Sequence, residues 1–204
     1  MYGIQNSQTI SESAALDPLS PYAETKMFLE KLLGWYGSAY GLKSACLRYF
    51  NAAGADPDCE LGECHQPETH LIPLALQAAA NGTTLRVFGN DYATADGTAI
   101  RDYIHVNDLA DAHVLSLRHL LDPQNNSFVA NLGTGRGHSV AEVINMVEQV
   151  TGKKISVQYC ERRQGDAPRL VADPTHAQNL LDWQPQHSSL QTIVQTAWNW
   201  YLKN

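Results

Sequence analysis

The segment Ser20-Pro21-Tyr22-Ala23-Glu24-Thr25-Lys26 predicts the start of a long helix with a tyrosine and a lysine on one face. Ser20 can cap the first free N–H groups, and Pro21 suits the first helical position. Residues four apart lie one turn apart, so Tyr22 and Lys26 should be neighbours. A nearby ammonium group favours the phenolate, which would let the tyrosine act as a base. The spacing alone favours a simpler interpretation, an amphipathic helix with the tyrosine packed inward and the lysine solvated.

The composition is typical of a globular protein, with 44% hydrophobic and 17% charged residues among 204. The net charge of -7 and the lack of any Lys/Arg cluster argue against a nucleic-acid or basic membrane surface. No apolar run reaches the roughly 18 residues of a membrane span. The four cysteines have no framework spacing, which indicates reduced thiols. We therefore expect a cytoplasmic enzyme or binding domain.

Helix and strand patterns alternate along the chain, which is typical of an α/β fold. The apolar positions of the first helix are dense enough for a buried or dimer-forming element. A loop of small residues is expected at 50–55, and Asn107 or Asp108 should cap the helix that follows the segment 100–106. The predicted helices cover 21–40, 71–80, a segment to residue 121, a segment from 139, a short segment from 173 and 190–201, and the predicted strands cover 43–49, 84–88, 128–132 and 154–159.

Two polar residues lie where an α/β sheet would place a ligand. Asn51 follows a strand, and ligands bind beyond the carboxyl ends of strands; alternatively, it bonds its own backbone in a loop. Arg101 follows a long polar loop at 89–98, and its guanidinium would fit a phosphate. The alternative for Arg101 is an ion pair with Asp102 or another carboxylate.

A glycine loop, Gly133-Thr134-Gly135-Arg136-Gly137-His138, joins a strand to a helix. That order invites a dinucleotide-binding interpretation. However, His138 stands where the third glycine should be, and no acidic residue ends a second strand about 20 residues further on. Ser139 and Glu142 form a capping box that explains the local sequence. We expect this loop to be structural or to face a substrate.

Two further polar segments remain. Arg162-Arg163-Gln164-Gly165-Asp166 could hold a diphosphate and a sugar hydroxyl, or could be a solvated charge cluster. Cys59, Cys64, His65 and His70 suggest a metal site, but four residues separate the cysteines and no second pair follows. We therefore expect no metal.

Several of these stretches, taken in order, resemble the bacterial UDP-glucose 4-epimerases of the extended short-chain dehydrogenase/reductase superfamily. The resemblance covers essentially the whole chain, and its most specific part is 88–106. It implies an α/β fold, the C-terminal part of a Rossmann-like doubly wound sheet plus a small α/β substrate-binding domain. Residues 1–56 would be a remnant of the NAD-binding Rossmann domain, and 57–204 mainly the UDP-sugar region, with 98–125 returning to the Rossmann core. The matching stretches are Tyr22-Ala23-Glu24-Thr25-Lys26, Leu47-Arg48-Tyr49-Phe50-Asn51, Phe88-Gly89-Asn90-Asp91-Tyr92, Asp96-Gly97-Thr98, Arg101-Asp102-Tyr103-Ile104-His105-Val106, Asn131-Leu132-Gly133-Thr134-Gly135 and Arg162-Arg163-Gln164-Gly165-Asp166.

The resemblance also implies a chemistry and an assembly. Tyr22 would take the proton from the sugar 4-hydroxyl while hydride leaves C4 for NAD+, and Lys26 would hold the nicotinamide ribose and lower the tyrosine's pKa. Phe50 would line the cofactor. Leu170 occupies the position whose size influences acceptance of N-acetylated sugars, and Cys64 stands where acidic residues are common. The full-length form would be a homodimer. The positions implied to bind the UDP-sugar are Asn51, His70 (an Asn in some members), Leu71, Leu85, Arg86, Phe88, Arg101, Val140, Arg163 and Asp166.

Members of this family begin with a strand and a Gly-x-x-Gly-x-x-Gly turn that this sequence lacks. Without that turn no helix N-terminus is available for the pyrophosphate of NAD, and the active-site Ser or Thr would lie upstream of Met1. We therefore expect the 204-residue chain to be inactive alone, and to expose sheet edge and core surface where the missing half would pack. Two alternatives remain open: a related epimerase acting on UDP-N-acetylhexosamines or UDP-pentoses, and a non-catalytic UDP-sugar-binding or dimerising fragment.

Overall fold

A computed structural model describes residues 1–3 and 7–204 and has an α/β architecture. Its helices lie close to the predicted segments, because each one begins or ends at a local signal. Ser20 caps the first helix by accepting a bond from the Ala23 N–H, and Gly41 ends it in the left-handed conformation. The helices are α1 Pro21–Tyr40, α2 Leu71–Asn81, α3 Val106–Leu121, α4 Val140–Thr151, α5 Thr175–Leu181 and α6 Leu190–Lys203.

The strands pair mainly in parallel. β1 pairs with β6, β2 with β5 and β3 with β8, while β4 pairs in parallel with β9 and antiparallel with β7. Parallel pairing joined by helices is the arrangement of α/β folds. The strands are β1 Ala45–Tyr49, β2 Asn51–Ala53, β3 Thr84–Phe88, β4 Ile100–Arg101, β5 Tyr103–His105, β6 Phe128–Leu132, β7 His138–Ser139, β8 Ser156–Cys160 and β9 Arg169–Leu170.

Two predictions about local structure were wrong. Residues 51–53 form strand β2 rather than a loop, because they pair in register with β5. Helix α3 is capped by His105, whose side chain accepts a bond from the Asn107 N–H, and not by Asn107 or Asp108. The capping box at Ser139 and Glu142 is confirmed.

Two hydrophobic clusters hold the elements together. The first lies among α2, α4, α6 and β3, with Leu76, Val143 and Ile193 nearly inaccessible to solvent. The second lies among α3, α5 and β6 around Trp183, whose indole N–H donates to the Asp108 carbonyl at 3.0 Å. The pairing of β1 with β6 joins the early part of the chain to the second cluster. The domain boundaries proposed from the sequence stay a prediction.

Helix α1 leaves most of its apolar side chains in contact with solvent. Trp35 is 64% exposed and Phe28 is 55% exposed, whereas Ala23 is the buried residue of this helix. Glu30 fastens α1 to β1 through an ion pair of 2.5 Å with Arg48. Burial of an apolar side chain is favourable by about 1.5–3 kcal/mol, so this face is a surface that a partner element would stabilise.

No helix in residues 1–3 and 7–204 combines the length and apolarity that crossing a membrane requires.

Candidate functional site

An open cleft of about 1700 Å³ lies between β2, β3 and the loops that lead into α2 and follow β8. It brings together residues that are far apart in the sequence. All of the site residues predicted above line it except the Tyr22 and Lys26 pair: Phe50, Asn51, His70, Leu71, Leu85, Arg86, Phe88, Arg101, Val140, Arg163 and Asp166. The cleft has both apolar walls and cationic groups.

The aromatic ring of Phe88 is contacted by two arginines. The guanidinium carbon of Arg163 lies 4.0 Å from the ring centroid, and that of Arg86 lies 5.3 Å from it. Cations within about 6 Å of an aromatic ring are attracted to its face. Phe88 thereby positions two positive charges at the cleft of a protein whose net charge is -7. Such a local concentration of positive charge attracts anionic ligands.

Arg101 is held by backbone carbonyls. Its Nη1 donates to the Ile100 oxygen at 2.9 Å and to the Ala167 oxygen at 2.8 Å, and its Nη2 lies 3.9 Å from Asp166 Oδ1. The side chain is only 16% exposed. Of the alternatives named for Arg101, an ion pair with Asp102 is wrong, whereas the contact with Asp166 is an ion pair with another carboxylate. Two bonds from one guanidinium nitrogen leave other N–H groups available to an anion.

The segment 162–166 divides its two arginines between different roles. Arg163 and Asp166 line the cleft, whereas Arg162 is an exposed partner of Asp91, with Nε 2.6 Å from Oδ1. The hydrogen bond from Arg162 lowers the pKa of the Asp91 carboxyl. Arg162 also lies over the ring of Tyr92 at 4.4 Å. The prediction that both arginines could contact one ligand is therefore not met by this arrangement.

Tyr22 and Lys26 occupy neighbouring positions on α1, as their spacing predicts. The Lys26 Nζ lies 5.1 Å from the centroid of the Tyr22 ring. Tyr22 is 71% exposed, so the interpretation with the tyrosine packed inward is wrong. An exposed phenol beside an ammonium group is accessible to a ligand.

The buried carboxylate of Asp102 organises the glycine loop. It is fully buried and accepts bonds from the N–H groups of Thr134, Gly135 and Ala172 and from the Thr134 hydroxyl, at 2.7–3.1 Å. Burial raises the pKa of this carboxyl, and the four donors oppose that rise. The loop at 133–138 is therefore structural, because two of its N–H groups already bond a carboxylate of the chain itself.

Asp102 is a positioning residue that was not predicted from the sequence. Asn51 depends on the same segment, because its backbone N–H and its Nδ2 both donate to the Asp102 carbonyl, at 3.0 and 3.1 Å. At this point of the chain Arg101 faces the cleft, whereas the side chain of Asp102 belongs to a buried network on the other side of the strand. The available signal was an aspartate directly before the apolar pair Tyr103-Ile104, since a buried charge requires partners.

The chain is similar to known proteins over nearly its whole length. A family model described as GDP-mannose 4,6 dehydratase matches residues 1–196. The chain belongs to this family. It is 50% identical over its whole length to the UDP-glucose 4-epimerase of Halalkalibacterium halodurans, and it covers 61% of that protein. The chain thus spans about three fifths of the curated relatives that it matches.

Solved structures of the family agree in fold. A UDP-glucose 4-epimerase from Brucella ovis in complex with NAD matches 97% of the chain with a TM-score of 0.92 and 49% identity, over 61% of its own length. A UDP-glucose-4-epimerase from Stenotrophomonas maltophila, with bound NAD and formylated UDP-arabinopyranose, matches 99% of the chain with a TM-score of 0.94 and 40% identity, over 60% of its length. These matches confirm the predicted fold class and the predicted resemblance to UDP-glucose 4-epimerases.

Proposed function

We propose that this chain is the UDP-sugar-binding part of a UDP-glucose 4-epimerase, which interconverts UDP-glucose and UDP-galactose. The observation that carries the proposal is the cleft, because it gathers every predicted UDP-sugar position in one place. Relatives and solved structures named UDP-glucose 4-epimerase support the assignment.

The cleft suits a nucleoside diphosphate sugar. Arg101 and Arg163 would bind the diphosphate, because a guanidinium offers paired donors to phosphate oxygens. The apolar side chains of Leu71, Leu85 and Val140 would pack against the flat base. Asp166, which lies near Arg101, would accept a hydroxyl hydrogen bond.

The acid/base pair would be supplied by α1. Tyr22 would take the proton from the sugar 4-hydroxyl and return it after the sugar has turned over in the cleft. Lys26, one turn away, would stabilise the phenolate by its positive charge and would hold the ribose of the cofactor. The sugar must be held loosely and the UDP firmly for this exchange of faces.

The cofactor would be NAD, as in the Brucella ovis and Stenotrophomonas maltophila structures. When bound, NAD would supply the acceptor for the hydride from C4 and, once reduced, the donor for the other face. Tyr22, Lys26 and Phe50 would contact the bound cofactor. The pyrophosphate does not fit the glycine-rich strand-to-helix loop at 133–138, because the Asp102 carboxylate already accepts bonds from the N–H groups of Thr134 and Gly135.

We expect the 204-residue chain to bind UDP at one site and to show no epimerase activity. Calorimetric titration with UDP would measure the first, with GDP as the matched control because the family description names a GDP-sugar. Conversion of UDP-galactose to UDP-glucose with added NAD+ would measure the second. A chain that converts the sugar would contradict the expected inactivity, and a chain that binds neither nucleotide would contradict the proposed site.

The sugar itself is a separate question. A related epimerase acting on UDP-N-acetylhexosamines or UDP-pentoses is the second candidate, and the UDP-arabinopyranose derivative in the Stenotrophomonas maltophila structure favours testing pentoses. Leu170, of intermediate size, lies on β9 beside Arg101. A panel of UDP-sugars assayed with a protein that includes the nucleotide-binding half would decide between them. If no UDP-sugar is converted, the remaining hypothesis is a non-catalytic UDP-sugar-binding chain.

We also propose a cytoplasmic homodimer in which α1 pairs with a second copy. The support is the exposed apolar face of this helix, in which Phe28, Trp35 and Tyr36 are each about half or more exposed. We expect Trp35→Glu to shift the sedimentation coefficient from that of a dimer to that of a monomer, whereas Arg118→Glu, at an exposed position on α3, should leave it unchanged. Identical sedimentation of Trp35→Glu and the parent chain would contradict this interface.

A further inference from the structure

Four potential metal ligands meet on the loop between β2 and α2. They are Glu63, His65, Glu68 and His70, which we call the His/Glu cluster. One ligand atom from each residue lies within 4.8 Å of those of the other three. No metal was predicted here because the cysteines lack the spacing of a zinc site. The residues that converge are histidines and glutamates instead.

The individual distances are close to those of a coordination sphere. His70 Nδ1 lies 2.5 Å from Glu63 Oε1 and 3.3 Å from Glu68 Oε1, and His65 Nδ1 lies 4.0 Å from Glu68 Oε1. Ligands of a tetrahedral ion at about 2.0–2.1 Å are separated from one another by roughly 3.3 Å. These distances bracket that spacing, so binding an ion would require Glu63 to move away from His70 and His65 to approach Glu68.

The arrangement of charged and polar groups in the cluster favours a bound cation. Two carboxylates approach the same nitrogen of His70, but a neutral imidazole has at most one hydrogen there and can bond only one of them. Carboxylates held this close repel each other unless a positive charge lies between them. A divalent ion could instead bond both carboxylates and both imidazoles.

The backbone that carries the cluster is held in place by other contacts. Glu68 Oε1 accepts bonds from the N–H groups of Thr69 and His70, and this side chain is only 9% exposed. The Glu63 carbonyl accepts a bond of 2.8 Å from the indole of Trp200 on α6. Two of the four ligands are thus positioned before any ion binds, which lowers the entropic cost of assembling the site.

From this geometry we propose that the His/Glu cluster binds one divalent transition-metal ion, of which Zn²⁺ is the best fit. Two imidazole nitrogens and two carboxylate oxygens are ligands that zinc accepts in tetrahedral sites. The side chains of His65 and His70 are 52% and 62% exposed, so an ion can enter from solvent. The proposal does not depend on the proposed function, since it concerns the ion alone and its test contains no nucleotide.

The test is calorimetric titration of the metal-free 204-residue chain with Zn²⁺ at pH 7.5. We expect one site per chain, with an affinity that falls at least about tenfold in His65→Ala and in His70→Ala. His176→Ala, on α5, is the matched control for removal of an exposed histidine elsewhere and should bind as the parent chain does.

Cys64→Ser separates this site from a thiolate site. Cys64 lies between two cluster residues, and its replacement should leave the Zn²⁺ affinity unchanged. A Co²⁺-substituted chain should likewise lack the thiolate-to-metal absorption of a cysteine site. Absence of saturable Zn²⁺ binding, binding that survives in both histidine variants, or loss of binding in Cys64→Ser would each overturn the proposal. Circular dichroism of every variant would establish that a loss of binding is not a loss of fold.

Discussion

Replacement of Arg101 by alanine should weaken UDP binding by about 10- to 100-fold. A hydrogen bond to a charged group is worth about 1.5–3 kcal/mol, and each 1.4 kcal/mol corresponds to a factor of ten in affinity. Arg101 is largely buried at the cleft and is held by the carbonyls of Ile100 and Ala167, so its guanidinium is already positioned for an anion. Calorimetric titration of the chain with UDP would measure the loss.

Two further variants make the test specific. Arg101→Lys keeps the charge but loses the planar paired donors, and we expect an intermediate affinity. Arg118→Ala removes an exposed arginine from the last turn of α3 and should bind UDP as the parent chain does. Wild-type affinity in Arg101→Ala, or an equal loss in Arg118→Ala, would contradict the role that we assign to Arg101.

Replacement of Asp102 by alanine should lower the free energy of unfolding by about 3–5 kcal/mol, because it leaves several buried donors without an acceptor. Three N–H groups and the Thr134 hydroxyl bond this one carboxylate. Asp102→Asn should also destabilise the chain, since its amide would direct an N–H donor toward the donors of Gly135 and Ala172. Urea unfolding followed by circular dichroism would measure both effects.

The control for Asp102 is Asp111→Ala, which removes an exposed carboxylate from α3. Surface substitutions of this kind usually change the free energy of unfolding by less than about 0.5 kcal/mol. A loss of under 1 kcal/mol in Asp102→Ala, of the size seen for surface positions, would show that the loop does not depend on this carboxylate.

The positions of the helices could be predicted because their signals are local. A cap such as Ser20 or Ser139 bonds an N–H group within three residues, so the relevant atoms are adjacent in the sequence. The same holds for Gly41 and Gly82, whose positive φ angles end α1 and α2. The exception is α3, where His105 replaces the expected Asn107 or Asp108 as cap. There Asp108 is used elsewhere, since its carboxylate accepts bonds from the N–H groups of Gln186 and His187.

The cleft residues were implied one by one by the resemblance, and their convergence became visible only in the fold. Arg101 and Asp166 are 65 positions apart, and Asn51 is 50 positions from Arg101. Which of two adjacent residues faces the cleft depends on the packing of the strand. Arg101 faces the ligand cleft while Asp102 faces the glycine loop, because successive side chains of an extended segment point in opposite directions.

The sequence by itself determined the order of the helices and of the four longer strands, the one-turn spacing of Tyr22 and Lys26, and the motifs shared with UDP-glucose 4-epimerases, because each of these is encoded over a few neighbouring residues. Only the tertiary structure decided that the glycine loop is occupied by the Asp102 carboxylate, that Arg162 and Arg163 have different partners, and that two histidines and two glutamates meet at one point. Those arrangements depend on where side chains point once the loops have packed. Local propensity carries no information about that direction.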